Sequence, residues 1–181
     1  MSELSKISKF LSFILRHRPD DIGLKLDNKG WVFISELIKK AKPEVLLTKS
    51  LIQKIVVESD KQRFKISEDG LKIRANQGHS VKIDLGLKPT IPPAILYHGT
   101  ATRFLDSIMQ KGLTAGQRHH VHLSSDIETA RAVGQRYGKP AILQINAEQM
   151  HNDGYQFFLS DNHVWLTNLV VNQYILRTLD S

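Results

Sequence analysis

Leu4, Ile7, Leu11, Ile14 and Leu15 recur at the three- and four-residue intervals of one helix face, with Phe10 beside them, and Pro19 sets the limit of that helix. Arg16, His17 and Arg18 therefore fall in its last turn. The same spacing predicts a second helix from Ile34 to Ala41 and a third from about Thr48, a good N-cap, to Val57, where Leu51, Ile52, Ile55 and Val56 are apolar. Alternation then replaces helical periodicity. Arg63-Phe-Lys-Ile-Ser and Leu71-Lys-Ile-Arg-Ala, joined through an EDG turn ending at Gly70, read as a hairpin. Helices followed by a basic hairpin describe a winged helix, a common nucleic-acid-binding arrangement.

The second half has a different grain, with short strands between glycine turns. Residues 94–100 read as a strand, Thr102 to Lys111 as a short helix with Gly112 just beyond it, and 121–124 as another strand. A helix follows from about Ile127 to Tyr137, with Ser125 and Asp126 as alternative caps, and strands are expected at 141–147, 157–160, 164–167 and 173–179. There is no regular alternation of strand and helix, so the expected class is α+β.

Composition sharpens the division. Residues 1–86 hold 17 Lys and Arg against 11 Asp and Glu, whereas residues 87–181 hold 8 against 7. Most of the formal charge of +7 thus belongs to the first lobe and points to an acidic partner there. Between the halves, residues 85–94 carry Pro89, Pro92 and Pro93, half of the 6 prolines. The expected organisation is a first lobe over 1–86, a Pro-rich linker over 87–93 and a second lobe over 94–181. Lys6, Lys9 and Arg16 interrupt the first residues, and no apolar run is long enough to span a bilayer, so a soluble, cytoplasmic protein is expected. Zero cysteines exclude disulfides, thiolate nucleophiles and Cys-based zinc sites.

The chemistry must then come from nitrogen, oxygen or the substrate itself. No GxxxxGK, GxGxxG or GxSxG motif occurs, and no carboxylate lies within the HGT or HVHLS stretches, which argues against paired-carboxylate catalysis. His119, His120 and His122 invite a metal reading, but no carboxylate or cysteine stands nearby to complete a tetrahedral site, and no metal is expected. What remains is a set of cations and small polar residues at element ends: Arg16 and His17, Arg74, His98-Gly99-Thr100, and Arg118 to Ser124. Arginine grips phosphate bidentately, so the set suggests a site that holds and neutralises anions.

The runs LSFILRHRP (11–19), GWVFISELI (30–38), IRANQGHS (73–80), LYHGT (96–100), GLTAGQRHHVHLS (112–124), GQRYGKPAIL (134–143) and DNHVWLT (161–167) resemble, in order, the RNA 2′-phosphotransferase family, often called tRNA 2′-phosphotransferases. The resemblance implies a winged-helix RNA-binding lobe and an NAD-binding lobe with the ADP-ribosyltransferase fold. It also implies tRNA processing by removal of an internal 2′-phosphate from RNA. In the family's chemistry the RNA 2′-phosphate displaces nicotinamide from NAD, and the ribose 2″-hydroxyl then attacks that phosphate. RNA with a 2′-hydroxyl and ADP-ribose 1″,2″-cyclic phosphate leave. By the same resemblance Arg16, His17, Arg74 and Arg118 are the catalytic positions. His98, Gly99, Thr100, His122 and Ser124 are the NAD-binding positions, and NAD is consumed as a co-substrate; a monomer is expected.

Two departures from the family pattern affect one loop: His163 stands where a glycine is expected, and Val171-Asn172 replaces a proline-containing turn. The late glutamate that many ADP-ribosyltransferases use is also missing from the DNHVWLTNLVV stretch, which argues against glutamate-dependent protein modification. Two alternatives stay open at this point. One is an ADP-ribosyltransferase that caps nucleic-acid phosphate ends, and the other a winged-helix nucleic-acid-binding regulator without catalysis.

Overall fold

A computed structural model describes residues 3–41, 44–59 and 61–179. The chain divides into two compact units, Met1–Gly86 and Leu87–Ser181. Both mix helices with small antiparallel sheets, an α+β composition.

In the first unit, helix α1 (Glu3–Arg16) buries the predicted stripe Ile7, Leu11, Ile14 and Leu15. Strand β1 (Val32–Phe33) runs straight into α2 (Ile34–Ala41), and α3 (Lys49–Val57) begins where Thr48 accepts a hydrogen bond from Leu51 N–H at 3.1 Å. Strands β2 (Phe64–Ile66) and β3 (Lys72–Ala75) form the predicted hairpin. Its turn is fixed by Asp69, which accepts from Ser67 Oγ–H and Leu71 N–H. Strand β1 was not expected from its pattern, because two residues carry no periodicity. It completes a sheet of order β1-β3-β2 through Val32 opposite Ile73 and Phe33 opposite Lys72. Val32, Phe64, Ile73 and Ala75 face the helices and are buried with Leu15, Leu24, Leu37 and Ile52. By the two-residue period of a strand, Phe33, Lys65, Lys72 and Arg74 take the opposite face, and Trp31, just before β1, joins them through its contact with Arg74.

The second unit is built on two three-stranded sheets. One has β4 (Ile95–Ala101) and β11 (Ile175–Leu179) on either side of β7 (Pro140–Asn146), and the other has β6 (Val121–Leu123) and β8 (Phe157–Leu159) flanking β9 (Trp165–Thr167). A two-stranded pair joins β5 (Leu113–Thr114) to β10 (Leu169–Val170). Helix α4 (Leu105–Lys111) precedes β5, α5 (Ile127–Gly134) lies along β4, and α6 (Ala147–Asn152) follows β7. Asp126 is the cap of α5 and accepts from Thr129 N–H at 2.7 Å. Three predicted elements change character at their ends, where 102–104, 135–137 and 172–174 form single 3-10 turns. Proline-rich residues 87–93 belong to this unit, attached where Thr90 N–H donates to Phe157 O at 2.8 Å.

Helix α5 approaches β4 closely because two glycines face each other. A Cβ on Gly99 would sit 1.7 Å from the Ala130 carbonyl oxygen, and one on Gly134 would sit 2.5 Å from the Thr100 carbonyl oxygen. Only hydrogen fits at either place. His163, at the position where a glycine is expected, adopts a left-handed φ of +59° at the end of a turn in which its N–H donates to Ser160 O at 2.9 Å. Histidine is among the non-glycine residues that tolerate this region, so the loop keeps a glycine-like backbone without glycine.

Candidate active site

Each unit gathers one group of the site residues expected from sequence. In the first unit the carbonyl of Arg16, exposed by the end of α1, accepts from Ser80 N–H at 2.9 Å and Val81 N–H at 3.3 Å. The His17 Nδ1 shares a 3.0 Å hydrogen bond with Ser80 Oγ. The tail of IRANQGHS is thereby tied to the LRHR turn, although 63 residues separate His17 from Ser80. Arg74 leaves the outward face of β3 with its guanidinium 4.8 Å from the centroid of the Trp31 ring. Nε and Nη2 of Arg16 and Nε of Arg74 are shielded from solvent. The loop beyond Arg74 is anchored as well, since Asn76 donates from Nδ2 to Gln62 O at 2.6 Å and from its backbone N–H to Arg63 O at 3.0 Å.

Two side chains that touch these residues have no assigned role in the sequence reading. Ser80 orients the His17 ring, and Trp31 supports the Arg74 guanidinium. Both stand inside the motifs that carry the family resemblance, and that position was the available signal.

In the second unit, Tyr97 and Ser124 exchange two backbone hydrogen bonds of 2.8 Å, which set the HGT end of β4 against the HLS end of β6. His98 Nδ1–H donates to the His122 carbonyl oxygen at 3.0 Å. This bond fixes the His98 tautomer and leaves a lone pair on Nε2. The His122 ring receives a second constraint. Arg118 Nη1 lies 2.6 Å from His122 Nδ1, and because guanidinium only donates, that nitrogen accepts and the His122 proton is on Nε2. Arg118, His122 and His98 therefore form one connected chain whose neutral imidazoles have complementary tautomers. Ser124 is half-buried beside it and Thr100 is buried.

Gly99 has a separate reason for its identity. Strand alternation sends it to the face opposite His98 and Thr100, against α5, so its missing side chain serves helix packing. His120 lies with its ring 5.5 Å from Phe158, and His79 is 2% exposed, consistent with packing roles for both. Among the described residues no group of three His, Asp or Glu side chains is placed to hold a metal ion, and no helix is long and apolar enough to cross a membrane.

Burial holds the His98 imidazole below its ordinary range; the bond to the His122 carbonyl opposes this, and the Arg118 charge adds to it. The unfolded chain takes up a proton near pH 6.5, while the folded chain resists doing so. Stability attributable to His98 is therefore full above that pH, falls as pH drops below it, and levels off below the depressed folded value. Thermal melts between pH 7 and 5 should show a steeper loss for wild type than for His98→Asn. Parallel profiles would remove His98 as the cause.

The comparisons extend these local observations to the whole chain. The model of the family described as RNA 2′-phosphotransferase, Tpt1 / KptA family, matches residues 2–169. A protein of Acaryochloris marina named "Probable RNA 2′-phosphotransferase" is 57% identical over 176 residues, covering 97% of both chains. Proteins with the same name from Agrobacterium fabrum and Nostoc punctiforme are 53% and 52% identical, covering 96% and 97% of this chain and 94% and 98% of their own. Full-length similarity at this level, with the motif residues gathered as described, means that the chain belongs to the RNA 2′-phosphotransferase family.

Proposed function

We propose that the protein is an NAD-dependent RNA 2′-phosphotransferase that removes an internal 2′-phosphate from RNA and transfers it to ADP-ribose. Family membership over nearly the whole chain is the observation that carries this reading. The three helices and the β1-β3-β2 sheet of the first unit support its reading as a winged-helix RNA-binding lobe. The two facing groups of strands around HGT and HLS support an ADP-ribosyltransferase-like reading of the second.

The donor set of the second unit suits NAD. Arg118 offers a permanent cation for phosphate, and His98 Nε2, Ser124 and Thr100 offer partners for ribose hydroxyls or amide groups. When bound, NAD supplies an electrophilic ribose carbon whose leaving group is nicotinamide. The RNA phosphate is itself an anionic nucleophile, so the protein needs neither a nucleophilic side chain nor a carboxylate pair. What the chain must do is hold and neutralise a crowded phosphate. Arg16 and Arg74 in the first unit, the latter stacked on Trp31, and Arg118 in the second are proposed as donors for phosphate that stay protonated. His17, with Nδ1 engaged by Ser80, presents Nε2 to donate to phosphate or to move a proton.

The test is to incubate the protein with an RNA bearing one internal 2′-phosphate. Conversion to the 2′-hydroxyl is expected only when NAD is present, with one nicotinamide released per phosphate lost. Phosphate loss without NAD, or no loss with it, would refute the proposal.

A further inference from the structure

The outward face of the β1-β3-β2 sheet has a composition that folding alone does not call for. Lys65, Lys72 and Arg74 on this face are cations, and Phe33 and the adjoining Trp31 are aromatic. No carboxylate occupies any of these positions. Both rings stand on the β1 side, and each meets a cation of β3. Phe33 stands opposite Lys72, whose Nζ is 4.9 Å from the ring centroid, and Trp31 lies against Arg74 at 4.8 Å. Phe33 remains 48% exposed, so its ring is open to a partner.

An exposed ring bordered by cations matches the chemistry of an unpaired polynucleotide: phosphates meet the Lys and Arg side chains, and a base stacks on the ring. A duplex offers the phosphates but keeps its bases stacked internally. Arg74 belongs to this same face, so the surface is continuous with a residue assigned above to phosphate chemistry.

We propose that this face is a base-stacking platform for single-stranded RNA, with Phe33 stacking on a base of the strand that carries the 2′-phosphate. Phe33 is a binding residue in this account and takes no part in bond making. The proposal rests on the reading of the chain as an RNA enzyme, but it can be tested without turnover.

The experiment measures the affinity of a labelled single-stranded oligoribonucleotide, bearing no 2′-phosphate and without NAD, for wild type, Phe33→Ala and Phe33→Tyr at one fixed salt concentration. A second strand of equal length has abasic residues throughout. Phe33→Ala should weaken binding of the base-bearing strand about 5- to 100-fold, the range typical of one aromatic–base stack, and leave the abasic strand at wild-type affinity. Phe33→Tyr, which keeps the ring, should bind both strands as wild type does. Equal weakening on both strands, no weakening on either, or a Tyr variant as weak as the Ala variant would overturn the platform. Because no phosphotransfer is read, inactivity in the NAD assay would not count against it, and unchanged binding would leave that assay's result untouched.

Discussion

Arg118→Ala is expected to lower turnover about 10²–10³-fold while leaving the melting temperature close to wild type, the usual effect of deleting one preorganised donor at a site of developing charge. The residue is exposed, and the interaction it is seen to make is with the His122 ring, so little of the fold depends on it. Two things are lost with the side chain. One is the cation proposed for phosphate, and the other is the donor that keeps the His122 proton on Nε2. Arg118→Lys restores the charge but not the planar fork, and should recover only part of the activity. The two contributions can be separated by combining Arg118→Ala with His122→Ala. If Arg118 acted solely by orienting His122, the double variant would match His122→Ala, whereas a direct role on phosphate predicts a further loss. A variant with wild-type kcat and KM would remove Arg118 from the site.

Gly99→Ala should damage folding more than any other single-methyl addition to the strands of the second unit. Its new Cβ would lie 1.7 Å from the Ala130 carbonyl oxygen, 2.6 Å from that carbonyl carbon and 2.9 Å from Gly134 N. All three are backbone atoms of α5, which no rotamer change can move aside. Ordinary overpacking costs about 1–3 kcal/mol, and relief here requires the whole helix to lift from β4, so the loss should reach or exceed the top of that range. For a unit of this size that corresponds to a melting temperature lowered by roughly 10–20 °C, and to poor soluble yield. Since α5 lies behind the strand that carries His98 and Thr100, the HGT motif combines a packing requirement with site chemistry in consecutive residues. A Gly99→Ala variant that melts with wild type would show that helix and strand separate more easily than their contact implies.

The longer periodic segments were legible in the sequence because hydrophobic spacing is a property of many residues at once. Helix α1 was placed by a stripe of five positions, and the β2–β3 hairpin by alternation on both sides of an Asp-Gly turn. Strand β1 and the β5–β10 pair were not legible. Each of these strands is two residues long, and the β5–β10 pair is made by segments far apart in the chain, so neither period nor local turn chemistry announces them. The same limit applies to the site. Arginine and histidine identities suggested anion binding, but the tautomers of His98 and His122 follow from contacts with a carbonyl and a guanidinium that only the fold supplies. Trp31 beneath Arg74 and Ser80 on His17 likewise depend on pairing across the sheet and on the return of residue 80 to the end of α1. At 163, the departure from the family's glycine was visible in sequence, and the left-handed backbone explains why that position matters.

The account turns on where the phosphate goes. An RNA labelled with radioactive phosphorus only at its internal 2′-phosphate, incubated with the protein, NAD and EDTA, tests this directly. The label should leave the RNA joined to ADP-ribose, at a rate reduced about 10²–10³-fold in Arg74→Ala. Label released as inorganic phosphate, or label retained on RNA with ADP-ribose stably attached, would contradict the proposed transfer.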